Sequence, residues 1–255
     1  MAPKPDIVFL PGAWHQASCL DKFIPLLTAK GYTTYGHTIK SVGTPYVTVQ
    51  DDAAYIRDEI LEPLFQKDRQ VVLIVHSYAG TPAAPAVKQL HVKDRKAKSQ
   101  PGGLVGIIWV TSYLFSSAGF GVVDREAKIQ GLRKFGLINV EEDLVYPRED
   151  IDFLYDGVDE DLAKATLSTL APHSLSSLLT DIDEYGYRDA SYDGCRAYVK
   201  CLKDTPIPIV FQNHMIESSG VTWETRELDT GHSPFLSQPE QLSSAIDELI
   251  QGFKN

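Results

Sequence analysis

Leu73-Ile74-Val75-His76-Ser77-Tyr78-Ala79-Gly80 is the stretch that decides the fold. The β-branched run from Val71 to Val75 reads as a buried strand that stops abruptly at His76-Ser77. Two small residues, Ala79 and Gly80, follow and open a helical pattern that continues from Pro82 to Leu90. The segment is a strand, a sharp turn and a helix, with a serine at the apex. On these residues alone Ser77 is either a nucleophile held above a sheet edge or the N-cap of a buried helix.

Working outward, short apolar strands recur at Asp6–Leu10, Tyr32–Ile39, Gly106–Val110, Arg196–Leu202 and Val221–Glu227. Helical spacing lies between them. Leu20–Ala29 is one such segment. Thr48 and Asp51 form a capping box for a second, continued by Ala54, Ile56, Ile60, Leu61 and Leu64. Ser237-Gln238-Pro239-Glu240 reads as another capping box, opening a terminal helix with Leu242, Ile246, Leu249 and Ile250 on one face. This alternation predicts an α/β fold, a mostly parallel sheet flanked by helices. Residues 113–190 break the rhythm. They hold no convincing strand, a charged patch at Glu141-Glu142-Asp143, and a helical segment at Asp159–Leu170. The expected organisation is a core of residues 1–112 and 191–255 carrying a helical cap inserted at 113–190.

The 255 residues suffice for a large core, and 43% apolar with 23% charged residues is ordinary for a globular chain. A net charge of -10 repels phosphate backbones, so nucleic acid is not an expected partner. No apolar run is long enough to span a bilayer. The first residues lack the pattern of a secretory signal, and Cys19, Cys195 and Cys201 form no CxxC pair. Reduced thiols and a cytoplasmic location are expected. No metal-ligand spacing and no phosphate-binding glycine motif occurs, so no cofactor is implied. The expected partner is a small-molecule substrate, and a homodimer stays open.

A nucleophilic serine needs a base, and the base needs an orienting acid. The chain has seven histidines. His37, His91, His173 and His214 lie in contexts that suggest no chemistry. His232, in Leu228-Asp229-Thr230-Gly231-His232-Ser233-Pro234, follows the last strand, where parallel sheets place their sites. Its bland reading is a surface-loop histidine. Asp204 leaves the preceding strand at Lys203-Asp204-Thr205, and its bland reading is a helix N-cap. Asp229 competes for the role of acid from the same loop as His232. Pro11-Gly12-Ala13-Trp14-His15 follows the first strand, and its small residues let backbone approach a ligand closely. The N–H groups of Ala13 and Tyr78 are the candidate oxyanion donors, and Trp14 and His15 are expected to border the substrate. An ordinary turn is the other reading of Pro11-Gly12.

With these stretches in order, the chain resembles the α/β-hydrolase superfamily. More narrowly it resembles the group of plant methylesterases and hydroxynitrile lyases with their fungal and bacterial hydrolase relatives. The resemblance rests on Ile7–His15, Val72–Gly80, Lys200–Pro208 with Gln212, Met215 and Ile216, and Thr230–Pro239. The family's G-x-S-x-G elbow appears with Val75 and Ala79 in place of its glycines and Gly80 one residue later. The order Ser77, Asp204, His232 is the family's order. The resemblance implies hydrolysis of an ester, thioester or lactone through an acyl-enzyme. Its lyase branch carries a lysine after the catalytic histidine and a threonine in the oxyanion loop. Ser233 and Gly12 stand there instead, which points to the esterase side. A serine elbow also disfavours the epoxide hydrolases and dehalogenases, which use aspartate. Two other readings stay open: a lyase, isomerase, cyclase or C–C bond hydrolase using the same pocket, and a ligand-binding receptor on this fold. Tyr113, Phe115 and Phe120 are expected either to wall the pocket or to form cap core.

Overall fold

The computed structural model describes residues 4–115, 129–130, 140–147 and 152–254. Its strands are β1 (Asp6–Leu10), β2 (Thr34–Gly36), β3 (Gln70–Ser77), β4 (Gly103–Ser112), β5 (Val140–Glu141), β6 (Leu144–Val145), β7 (His173–Ser174), β8 (Arg196–Cys201) and β9 (Glu224–Leu228). Six of them form one sheet in the order β2-β1-β3-β4-β8-β9, and every neighbouring pair is parallel.

The central strands lack a polar face because both faces are covered. Alternation sends Val8, Leu10, Val71, Leu73 and Val75 into one core and Ile7, Phe9, Val72 and Ile74 into the other. Helices Val49–Tyr55 and Gly80–Ala86 cover the first side through Val49, Ala53, Ala83 and Ala84. Helices Ile24–Ala29 and Pro239–Gly252 cover the second through Leu27, Leu242, Ile246 and Leu249. Burial of each such leucine or isoleucine contributes about 1.5–3 kcal/mol.

The Thr48 capping box forms as expected. Asp51 N–H donates to Thr48 Oγ1 at 3.2 Å and Thr48 N–H donates to Asp51 Oδ2 at 2.8 Å. The one expected at Ser237 does not. The Ser237 hydroxyl donates to the Ser233 carbonyl and lies 2.6 Å from Thr230 Oγ1, so the terminal helix starts without a side-chain cap. Ser237 serves the loop before the helix instead of the helix.

The stretch between β4 and β8 also departs from expectation, because it does contain strands. β5, β6 and β7 form a small antiparallel sheet, and β7 bridges back to Val42 in the loop after β2. Two-residue strands carry too little alternation to be seen in sequence. Asp143, expected only as part of a charged patch, is buried at the turn between β5 and β6. Its carboxylate accepts from Tyr46 N–H, Ser174 Oγ, Ser176 Oγ and Ser176 N–H. These donors hold its carboxyl below the usual range against the opposing effect of burial. The helical segment expected from Asp159 is present as Glu160–Leu167, with Asp159 as its N-cap. All three cysteines are buried. Among the described residues no helix is long and apolar enough to cross a membrane.

Candidate active site

The carboxyl ends of β1, β3, β4 and β8 converge on Ser77. This serine has φ +54°, a left-handed backbone that costs a non-glycine residue on the order of 1 kcal/mol or more. Its neighbours hold it there. The Ser77 carbonyl accepts from Ser112 Oγ at 2.6 Å and from Tyr113 N–H at 3.2 Å. Two glycines make the close packing feasible. A Cβ on Gly80 would lie 2.3 Å from Ser112 Oγ and 2.4 Å from the Tyr113 carbonyl, and one on Gly12 would lie 2.6 Å from Ser77 Cβ. Gly80 is thus the elbow's required glycine, displaced by one position from the usual motif.

His232 Nε2 lies 2.9 Å from Ser77 Oγ, and His232 Nδ1 lies 2.7 Å from Asp204 Oδ2. Both side chains are buried. Asp204 Oδ1 accepts from Ile207 N–H at 2.7 Å, and the Thr111 hydroxyl donates to Oδ2. Asp204 therefore ends β8 in a tight turn rather than capping the next helix, which begins at Ile209. Asp229 is elsewhere. It pairs with Lys203 at 2.8 Å on the surface and is 69% exposed, so it does not share a site with His232.

Among the described residues neither Ala13 N–H nor Tyr78 N–H donates to another protein group, and the two flank the Gly12–Ser77 contact. Trp14, at φ +64°, is fixed by donation from Nε1 to the Val145 carbonyl at 2.9 Å. The two positions expected to border substrate thus differ. Trp14 leans on β6. The His15 ring is buried and spent within the protein: Nδ1 lies 2.9 Å from the Ala13 carbonyl and Nε2 lies 2.7 Å from the Tyr155 hydroxyl. His15 has no nitrogen left to offer a ligand.

Ser77, His232 and Asp204 thus stand in one hydrogen-bonded line beside two unengaged N–H groups. A family model described as the alpha/beta hydrolase family matches residues 7–245. The chain belongs to the alpha/beta hydrolase family. It is 28% identical to methylesterase 9 of Arabidopsis thaliana over 96% of this chain and 98% of that one. It is 26% identical to the probable hydrolase R7 of Phoma sp., over 96% and 98%. A pyrethroid hydrolase structure from Sphingobium faniae JZ-2 superposes with a TM-score of 0.72 at 20% identity, covering 97% of each chain.

Within this alpha/beta hydrolase, several contacts around the site escape a reading of the sequence. One is that of His76, which stands beside the site as its place next to Ser77 implies. Its Nε2–H donates to the His232 carbonyl at 2.8 Å, its ring lies 4.7 Å from that of His232, and burial drives its pKa well below the ordinary value. Thr111 is another, since its role depends on β4 lying beside β8. Gln212 anchors the turn that carries Asp204: Cys201 N–H donates to its Oε1 at 3.1 Å, and its Nε2 donates to the carbonyls of Cys201 and Ile207. The Tyr78 hydroxyl donates to Asp52 Oδ2 at 3.0 Å, and burial pushes the Asp52 carboxyl up to about 6. A signal existed for Asp52, a charge on the same helix face as Val49 and Ile56. His173, expected to lack special surroundings, is buried with its ring 4.6 Å from that of Tyr78.

Ser233, where the lyase branch carries lysine, is fully buried and donates to the Leu154 carbonyl at 2.9 Å. Tyr113 and Phe115 pack edge-on against Phe211 and Tyr185 respectively. Phe120 lies outside the described residues.

Proposed function

We propose that this protein is a serine hydrolase that cleaves a carboxylic ester, thioester or lactone of a small apolar substrate through an acyl-enzyme. The observation that carries the proposal is the unbroken line from Ser77 Oγ through His232 to Asp204. In this reading His232 Nε2 takes the Ser77 proton as Oγ attacks the carbonyl carbon. Asp204 holds Nδ1–H and stabilises the imidazolium. The N–H groups of Ala13 and Tyr78 receive the oxyanion. His232 then protonates the departing alkoxide or thiolate, and a water repeats the sequence to release the acid.

Esterase and hydrolase names among the relatives support ester cleavage. The buried Ser233 supports the esterase side over cyanohydrin chemistry, because a serine hydroxyl at that position supplies no ammonium to receive a leaving cyanide. We read residues 113–190 as the cap of this enzyme, and the anchoring of Trp14 by β6 supports a cap that borders the substrate. The test is a panel of p-nitrophenyl esters of graded acyl length, methyl esters and lactones, run with Ser77→Ala in parallel. Turnover of one class, lost by several orders of magnitude in the variant, is the expected result. Near-full retention in Ser77→Ala would replace the acyl-enzyme by acid–base chemistry in the same pocket.

A further inference from the structure

One short stretch of the cap reaches both catalytic loops. It comprises the helix Asp152–Tyr155 and the residue after it. The Tyr155 hydroxyl lies 2.7 Å from His15 Nε2, and His15 Nδ1 lies 2.9 Å from the Ala13 carbonyl. The Leu154 carbonyl accepts from Ser233 Oγ. The Asp156 carbonyl lies so close to Gly231 that a Cβ there would be 2.7 Å from it. Leu154–Asp156 therefore touches the loop carrying Ala13 and the loop carrying His232.

The chemistry of the His15 contacts fixes their direction. A carbonyl only accepts, so Nδ1 carries the proton and Nε2 accepts from Tyr155. Burial lowers the His15 pKa to about 4, so the ring stays neutral and keeps one donor and one acceptor. Tyr155 and His15 are 4% and 2% exposed, so water does not readily replace either bond. The loop they brace includes Trp14 in its left-handed conformation, which persists only where surrounding contacts over-determine it.

We propose that Tyr155 is a positioning residue: through His15 it fixes the Ala13 carbonyl, and with it the loop whose Ala13 N–H receives the oxyanion. The cap thereby sets the oxyanion hole. The inference rests on the serine-hydrolase reading above, and its test separates the two.

The test compares the native protein with Tyr155→Phe, using a serine-directed phosphonate, an activated ester and a pair of ketones. Absence of a Ser77 adduct in the native protein overturns the underlying reading. Given native labelling, Tyr155→Phe is expected to lower kcat roughly 10- to 100-fold, less than outright loss of an oxyanion donor, with KM changed by less than about threefold. A trifluoromethyl ketone adds Ser77 Oγ to its carbonyl, passes the serine proton to His232 and leaves a hemiketal oxyanion. Its Ki is expected to rise by the same factor as kcat falls, while the matching methyl ketone, which forms no oxyanion, binds as before. His15→Phe should give the same pattern, and the double variant should lose no more than the worse single. Unchanged kcat and trifluoromethyl ketone affinity in folded Tyr155→Phe would overturn the inference. So would equal weakening of both ketones, which marks a collapsed pocket. If Tyr155→Phe does not fold, His15→Phe carries the same ketone comparison.

Discussion

Ser77 is held at φ +54° by Ser112, Tyr113 and the bare backbone of Gly12, so its hydroxyl meets His232 without further movement. Asp204 is equally committed, with donors on both oxygens. Asparagine fills the same space as Asp204 but strands the wrong histidine tautomer. Asp204→Asn is therefore expected to fold normally and lose kcat roughly ten-thousand-fold, the loss this exchange causes in serine proteases. Asp229→Asn should change kcat by less than about twofold, because its partner is Lys203 at the surface. Steady-state kinetics on both variants checks the assignment; a crippled Asp229→Asn beside a mild Asp204→Asn would reverse it. Ser77, His232 and Asp204 were legible because each follows the end of a strand that sequence alone reveals. Thr111 and Tyr155 were not. Each bonds to a partner that only the folded chain supplies, and a threonine or tyrosine in an apolar segment looks the same with or without such a partner.

Among elements, the parallel strands were legible because burial on both faces leaves long β-branched runs. The small antiparallel sheet was not, because its two-residue strands are too short to show alternation and one side chain braces them. Asp143 ties β6–β7 and the residues after β7 to the loop at Tyr46 through four donors. Asp143→Ala removes a buried, charge-assisted acceptor from these donors, of which the Ser174 hydroxyl keeps the Val47 carbonyl, at an expected cost of about 3 kcal/mol. That corresponds to a fall in Tm of roughly 6–12 °C for a chain of this size, measurable by thermal unfolding. A Tm within about 1 °C of the native value would show that the small sheet does not depend on it. The two capping boxes make the same point. The Thr48 and Asp51 side chains meet each other and the box forms, whereas Ser237 is drawn away by the His232 loop.

The whole molecule carries several buried imidazoles that its acidic surface does not reveal. Burial lowers the pKa of His15 to about 4 and of His173 to about 3, from an ordinary 6.5. The unfolded chain then binds more protons than the native one as pH falls below about 6.5, so stability declines on acidification until both native groups titrate. At pH 5 the two together cost on the order of 4 kcal/mol. Asp52 works in the opposite sense. Its raised native value of about 6 returns about 1 kcal/mol over the same interval. The expected net result is a clear fall in the urea midpoint between pH 7 and pH 5, with a shallower fall in His173→Phe. A flat profile would mean that these rings are not held neutral by burial.

The central claim is that the fold presents Ser77 as a nucleophile. Intact-mass analysis after treatment with a fluorophosphonate tests it most directly. The account predicts one added phosphonyl group, mapped by peptide sequencing to Ser77 and absent from Ser77→Ala. An unmodified protein, or a label on any other residue, would contradict it.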